Sequence, residues 1–533
     1  MISLLYGLAA VFGAAFAVIE LRMLYRFLTN RADIRAGASA YDEKAQGSDR
    51  AQEEVTPTVT IQIPLYNERT SAEQIVRAAA AQDYPRDRFD IQVLDDSTDE
   101  TSEIVASVVQ EVLAEGVRIE HIRRGHRTGY KAGALSEGLQ RSDARFVALF
   151  DADFVPDPGF LRALLVNDRP FDDPTVAFVQ ARWSWARGFD RLLPSALSLL
   201  LDRHFAIQKP TQEFVGNVTT FNGSAGIWRR AAIDDAGGWT ADTLTEDLDL
   251  SYRCALRGWH GRYVQSVHVP NELPEHMRAF KLQQRRWAKG NAQCFRKLTG
   301  RVLGSGSVVR DRLDEAFVLA GYAIHPLLLM SLMLWPWAVL YVDRTLFWVL
   351  QALMSLGMIA AVLSFFVTVQ ERDRRLSWRS VGEVLFGMGV GMGLMVNNTV
   401  GQIQGFFQSG GEFLRTPKGT ALASSGAEAG AGSRTVEGSP TTTDDPAAGA
   451  SATGAAAARA AVAPVKRVRP KAYASPLDWT FFAEILVMAY CAFGAALLIQ
   501  SGEAFWSMPM FMWALCMGLM VQQQMVVPRP AEA

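Results

Sequence analysis

Apolar positions along this 533-residue chain follow two rhythms. In the first, long apolar runs occupy residues 2–20, 316–342, 346–369, 479–499 and 505–521. A helix crossing a bilayer needs roughly 20 apolar residues. These runs therefore predict five membrane spans: an anchor in 1–28, two helices in 316–369 and two more in 477–527. In the second rhythm, short apolar runs alternate with amphipathic segments. Strands are predicted over Val59–Pro64, Asp90–Leu94, Val117–Ile122 and Phe146–Phe150. Helices are predicted over Ser71–Gln82, from a Thr98 cap to Leu113, and over Gly129–Leu139. Such alternation implies parallel strands joined by crossover helices. Residues 58–280 thus read as a doubly wound, Rossmann-like α/β domain.

The flanking segments set the orientation. Arg22, Arg26, Arg31 and Arg35 follow the first apolar run, which favours an uncleaved anchor with its carboxyl side in the cytoplasm. Residues 36–57 read as a polar linker. Residues 281–315 are basic and amphipathic and are predicted to lie on the membrane surface. Within 380–418, the apolar run Val384–Val396 is short for a span and reads as an interfacial helix. Residues 419–475, rich in Ala, Gly, Ser and Thr, have the composition of a disordered linker. Glu484, near the edge of the fourth run, is expected among the headgroups.

Charge and cysteine content narrow the function classes. A net charge of −2 offers no footprint for nucleic acid. The four cysteines, Cys254, Cys294, Cys491 and Cys516, lie too far apart for a zinc pattern or a disulfide framework. Few cysteines and an alanine-rich linker favour a bacterial inner membrane, with the α/β domain facing the cytoplasm.

Candidate chemistry collects at the predicted strand ends. Asp151 and Asp153 end the fourth strand, where open α/β sheets bind ligands. Residues i and i+2 of an extended segment share a face, so both carboxylates can reach one Mg2+ or Mn2+ ion shared with substrate phosphates. Asn67 and Glu68 end the first strand. Asp95, Asp96 and Ser97 end the second, where a carboxylate can accept from a ribose or base, or the cluster can cap a helix. Lys131 stands among small residues at a helix start and suits a diphosphate. In Thr245-Glu246-Asp247, Thr245 is a natural helix cap and Asp247 a candidate general base. The helix dipole would lower the Asp247 pKa, while a buried site would raise it. In Gln283-Gln284-Arg285-Arg286-Trp287, Arg286 can grip a phosphate and Trp287 can stack on a sugar.

Taken together, these motifs resemble the family 2 glycosyltransferases of the cellulose synthase superfamily, above all the plant cellulose synthase-like A enzymes, the glucomannan 4-β-mannosyltransferases. The likeness rests on Gln92–Thr98, Gly129–Leu135, Phe150–Phe154, Gln180–Trp183, Phe221–Gly223, Ala225–Arg229, Asn271–Pro274 and Gln283-x-x-Arg286-Trp287, all in order. The resemblance implies a GT-A fold and an inverting transfer of a hexose from GDP-mannose, GDP-glucose or UDP-glucose onto a growing β-1,4-linked polysaccharide. Asn67, Glu68, Asp96, Lys131, Asp151, Asp153 and Arg286 would bind the nucleotide sugar, Asp151 and Asp153 also holding the metal. Asp247 would be the catalytic base. Gln283, Trp287, Phe221 and Asn222 would meet the acceptor. Phe413–Lys418 is similar to the gating loop of cellulose synthases, with Thr416 and Lys418 as its covering residues, though its second and third positions differ. A related motif set in the ceramide glucosyltransferases makes a lipid acceptor the alternative. The long linker and the five spans depart from bacterial cellulose synthases, and a homo-oligomer or accessory subunits are the further partners to consider.

Overall fold

The computed structural model describes residues 1–37, 56–167, 169–185, 192–274, 276–306, 308–309, 311–373, 377–412 and 477–525. Its α/β half is built on a seven-stranded sheet in the order β3-β2-β1-β4-β6-β5-β7. The strands are β1 (Val59–Leu65), β2 (Phe89–Asp95), β3 (Ile119–Arg123), β4 (Phe146–Leu149), β5 (Val176–Trp185), β6 (Gly226–Arg229) and β7 (His260–Asn271). Only β6 runs antiparallel to its neighbours, β4 and β5, in the described sheet. Strand β4 is buried on both faces, as its unbroken apolar run requires. The chain leaves β1 toward β2 and β3 and returns to β1's other side as β4. The carboxyl ends of β1 and β4 therefore part at a switch point, and a crevice opens there.

Helices cover both faces. The anchor is α1 (Ile2–Thr29); α2 (Ala72–Ala80) and α3 (Thr101–Ala114) pack one side of the sheet. On the other side lie α4 (Tyr130–Gln140) and, after α5 (Leu192–Arg203), α6 (Glu246–Ala255). Three local expectations are corrected. The β4 strand ends at Leu149, and Asp151–Phe154 is a turn closed by the Phe154 amide donating to the Asp151 carbonyl at 3.1 Å. Thr98 does not cap α3: its amide and hydroxyl face Asn67, and the helix starts three residues later. Thr245 occupies the N-cap position of α6, but its hydroxyl turns to the Cys294 sulfur at 3.3 Å instead of capping.

A 27-residue helix, α7 (Met277–Leu303), joins the two halves of the molecule. The expectation of a surface helix fails here. Met277, Phe280, Lys281, Gln283, Gln284, Ala288, Asn291 and Leu298 are all buried, because α7 lies between α6 and later helices. Its polar residues meet other polar residues, so burial does not require an apolar stripe. Beyond it come α8 (Ile324–Tyr341), α9 (Arg344–Asp373), the pair α10 (Trp378–Gly393) and α11 (Met395–Phe407), then α12 (Trp479–Gln500) and α13 (Met508–Met525). Five helical segments, at 2–29, 321–341, 344–372, 479–500 and 504–525, are long and apolar enough to cross a membrane. The α10–α11 pair, bent by 44°, adds a sixth if it counts as one span. The predicted headgroup position of Glu484 is also wrong: it is 0% exposed and paired with Lys281 of α7 at 2.6 Å.

Close packing fixes α6 against α7. A side-chain carbon at Gly290 would fall 2.5 Å from Thr245 Cγ2 and 3.0 Å from its backbone nitrogen. Gly290→Ala is accordingly expected to destabilise the fold by about 1–3 kcal/mol. It should also lower any activity that depends on Asp247, two residues past Thr245. An unchanged melting temperature and unchanged activity would show that this contact is slack.

Candidate active site

The switch-point crevice opens into a cavity of about 1120 Å3. Its polar centre is Lys131, at the first turn of α4. The Lys131 ammonium lies 2.6 Å from Asp151 Oδ1 and 3.6 Å from Glu246 Oε1, and donates to the Gly223 carbonyl at 2.9 Å. Gly223 adopts a φ of +80°, and a Cβ there would sit 3.4 Å from Asp247 Oδ2 and 3.6 Å from Lys131 Nζ. Glycine thus suits the left-handed backbone of the loop after Phe221, which passes beside Asp247 and Lys131. The Asp151 turn is held by its amide, which donates to Ser224 Oγ at 2.9 Å. Asp151, the buried Ala152 and Asp153 all line the cavity.

The site is charge-crowded. Burial and then the Glu246 charge push the Asp247 carboxyl up to about 7, outweighing the Lys131 charge and the backbone amides that lower it. Burial would lower the Lys131 ammonium, but Asp151 and Glu246 beside it raise it overall. Burial lowers Arg286 despite the charges of Glu246, Asp151, Asp247 and Asp153, all of which act on it. Asp151, Asp153, Asp247, Lys131 and Arg286 therefore share one pocket, although 155 positions separate Lys131 from Arg286 in the chain.

The remaining predicted residues divide. Glu68 and Asp96 line the cavity, and Asp96 is paired with Arg124. Asp95 faces inward to His121 at 2.9 Å and Ser102 at 2.6 Å. Asn67 works as a staple: its amide accepts from the β2 loop, with Thr98 N to Asn67 Oδ1 at 2.9 Å. Gln283 and Trp287 line the cavity from α7, and Asn222 lines it while bonding His204 at 3.0 Å. Phe221 also lines the cavity, while its ring, 1% exposed, packs against Phe178 and Trp228. Thr416 and Lys418 lie outside the described residues. The chain just before them is tied to the site, with Gly410 N donating to Asp242 O and Gln293 Nε2 to Gly410 O, both at 2.7 Å.

Comparison with known proteins now bears on this site. Residues 57–290 match the family described as "Glycosyltransferase like family 2". The match covers the α/β segment, which is therefore similar to the family 2 glycosyltransferases. Glucomannan 4-beta-mannosyltransferase 2 of Arabidopsis thaliana is 43% identical over 258 residues, covering 47% of this chain and 48% of that protein. Glucomannan 4-beta-mannosyltransferase 1 of Cyamopsis tetragonoloba is 41% identical over 253 residues, covering 46% and 47%. The chain spans about half the length of the curated relatives it matches. Among solved structures, mannosyltransferase PcManGT from Pyrobaculum calidifontis, in complex with GDP-Man and Mn2+, aligns over 70% of this chain and 99% of its own. Its TM-score of 0.43 and identity of 19% carry no residue assignment.

Within the α/β segment, the donor set suits a hard cation. Asp151 and Asp153 offer only carboxylate oxygens. Among the described residues no group of three His, Cys, Asp or Glu could hold a metal alone. A Mg2+ or Mn2+ ion taking one or two carboxylates and completing its shell with water and substrate phosphate fits that set. Sequence reasoning missed two parts of the pocket. Trp183 and Trp185 line it from one face of β5, a signal present in their i, i+2 spacing. Glu20, Arg203 and Ser364 line its membrane end, with Ser364 Oγ donating to Glu20 at 2.6 Å. That trio comes from three distant helices and leaves no local pattern.

The raised Asp247 pKa gives the domain a pH dependence. A base must be deprotonated to act, so turnover is expected to climb with pH and level off above about 7. Below that point kcat/KM should fall roughly tenfold per unit. A kcat/KM profile flat from about pH 5 to 8 would remove Asp247 from this role.

Proposed function

We propose that the chain is a membrane-embedded inverting hexosyltransferase that extends a β-1,4-linked polysaccharide from a nucleotide diphosphate sugar. The observation that carries this reading is the meeting of Lys131, Asp151, Asp247 and Arg286 on one cavity whose walls continue between α1, α8 and α9. GDP-mannose is the first donor to consider, because the curated relatives are named as glucomannan mannosyltransferases. GDP-glucose and UDP-glucose come next.

The acceptor hydroxyl oxygen attacks the anomeric carbon as the bond from that carbon to the diphosphate breaks. Asp247 takes the hydroxyl proton, and the nucleoside diphosphate departs with the bonding electrons. One displacement inverts an α-linked donor into a β-linkage. Lys131 and Arg286 balance the charge on the leaving diphosphate. Asp151 and Asp153 would hold a divalent cation, which when bound supplies further positive charge there. Trp287, Trp183 and Trp185 offer flat faces for sugar rings along the cavity.

We place the domain on the cytoplasmic side of a bacterial inner membrane. Arg22 and Arg26 pair with Asp314, and Arg35 with Glu371. These contacts gather the basic helix ends beside the transferase domain, as the positive-inside rule favours. Both ends of the bent α10–α11 pair reach that same side: Glu383 accepts from Ser195 of α5 at 2.6 Å, and Gln408 accepts from Lys289 at 2.9 Å. The pair on this reading dips into the membrane and returns. A lipid acceptor is the second reading, because the cavity reaches between apolar helices.

Nucleoside diphosphate release by full-length protein in membranes tests the proposal with each donor in turn. GDP-mannose should give the highest rate, and Asp247→Asn should cut it by about 10²-fold or more. Chelation should abolish release, and Mg2+ or Mn2+ should restore it. A mannanase-digestible polymer supports the polysaccharide, whereas a single-sugar glycolipid would establish the lipid acceptor instead. Asp247→Asn with near wild-type turnover would eliminate the assigned base.

A further inference from the structure

The helix that aims Gln283, Arg286 and Trp287 at the cavity is gripped from behind. Lys281 Nζ lies 2.6 Å from Glu484 Oε1 on α12 and donates to Gln524 Oε1 on α13 at 2.7 Å. Gln524 Nε2 closes the ring by donating to Glu484 Oε2 at 2.7 Å. The three side chains are 3%, 0% and 3% exposed. One turn along, Arg285 pairs with Asp478 at 2.5 Å and donates to Thr480 Oγ1 at 2.9 Å and to Asn397 Oδ1 at 3.0 Å. Arg278 Nε donates to the Gln524 carbonyl at 2.6 Å.

Helical geometry makes this grip relevant to the site. At about 100° per residue, positions 278, 281 and 285 share one face of α7, and positions 283, 286 and 287 share the opposite one. Whatever fixes the roll of the first face fixes the aim of the second. Buried ion pairs contribute little net stability compared with apolar groups of the same volume, and their best-attested use is to set register. At a side-chain radius of roughly 6 Å, a roll of about 10° moves a group by about 1 Å. A shift of that size near reacting atoms costs on the order of a hundredfold in rate.

We propose that the Lys281–Glu484–Gln524 ring is a positioning device through which the last two helices set the aim of Arg286 and Trp287. The proposal rests on the transferase reading above. It makes α12 and α13, which follow the long linker, part of the machinery of transfer.

The test uses full-length protein in membranes. Lys281→Met/Glu484→Leu removes both charges without stranding either, so the melting temperature should stay within about 3 °C of wild type. Its kcat should fall about tenfold or more while the donor KM changes less than about threefold. The swap Lys281→Glu/Glu484→Lys should recover most of the lost kcat, because the Gln524 amide can turn over to serve the reversed pair. Should the first double variant fail to accumulate, Gln524→Met, which opens the ring and leaves the ion pair, carries the same kcat-against-KM test. A folded Lys281→Met/Glu484→Leu protein with kcat within about twofold of wild type overturns the proposal. Wild-type protein that turns over none of the donors overturns the transferase reading itself, and this proposal with it.

Discussion

Carboxylates outnumber cations at the heart of this molecule, and much else follows from that imbalance. Asp151, Asp153, Glu246 and Asp247 share their pocket with Lys131 and Arg286. Burial first, and the Glu246 charge second, raise the Asp247 carboxyl. Lys131 is the internal counterion, bonded to Asp151 and near Glu246, so it leaves Asp247 less compensated than its neighbours. A donor diphosphate would add more negative charge to such a place. On the proposed reading, a divalent cation beside Asp151 and Asp153 would offset that charge.

Backbone placement makes the crowding possible. Each charged group arrives from a different part of the fold: Lys131 from the start of α4, Asp151 and Asp153 from the turn after β4, Asp247 from the first turn of α6, and Arg286 from mid-α7. Two glycines let these parts close up, Gly223 beside Lys131 and Asp247 and Gly290 beneath Thr245. A side chain at Gly223 would strain a backbone held at φ +80°, and one at Gly290 would strike Thr245, at the start of the helix that carries Asp247.

The domain was legible in the sequence where burial is two-sided or motifs are contiguous. Strands β1, β2 and β4 are marked by their apolar residues, and the Asp and Lys clusters sit just past strand ends or at a helix start, whereas Arg286 and Trp287 lie within α7. What escaped was polar matter satisfied by distant polar matter. The basic face of α7 has the composition of a helix on a membrane surface, because sequence does not tell water from a buried partner. Glu484 met Lys281 across 203 positions, and nothing local marks that pairing. Asp151 and Asp153 both line the cavity, but from the turn closed by Phe154, where the sequence predicts an extended strand. Phe221 does two things at once: it lines the cavity, and its ring packs against Phe178 in the core.

The long cavity ties these observations together. A soluble transferase would need only a cleft at the switch point, yet here the same space runs on from Asp247 past Trp287 to Ser331, Gln351 and Ser364 between apolar helices. Those polar groups are met within the protein: Ser331 Oγ donates to the Leu327 carbonyl at 2.9 Å, Gln351 Nε2 to the Tyr6 hydroxyl, and Ser364 Oγ to Glu20 at 2.6 Å. Either proposed acceptor, a glycan or a lipid, thus meets walls whose polar groups are already paired. What suits a glycan is the flat faces of Trp183, Trp185 and Trp287, on which sugar rings can stack. On the proposed polymer reading, the helix carrying Trp287 and the walls beyond it would have to hold one alignment through every cycle of addition.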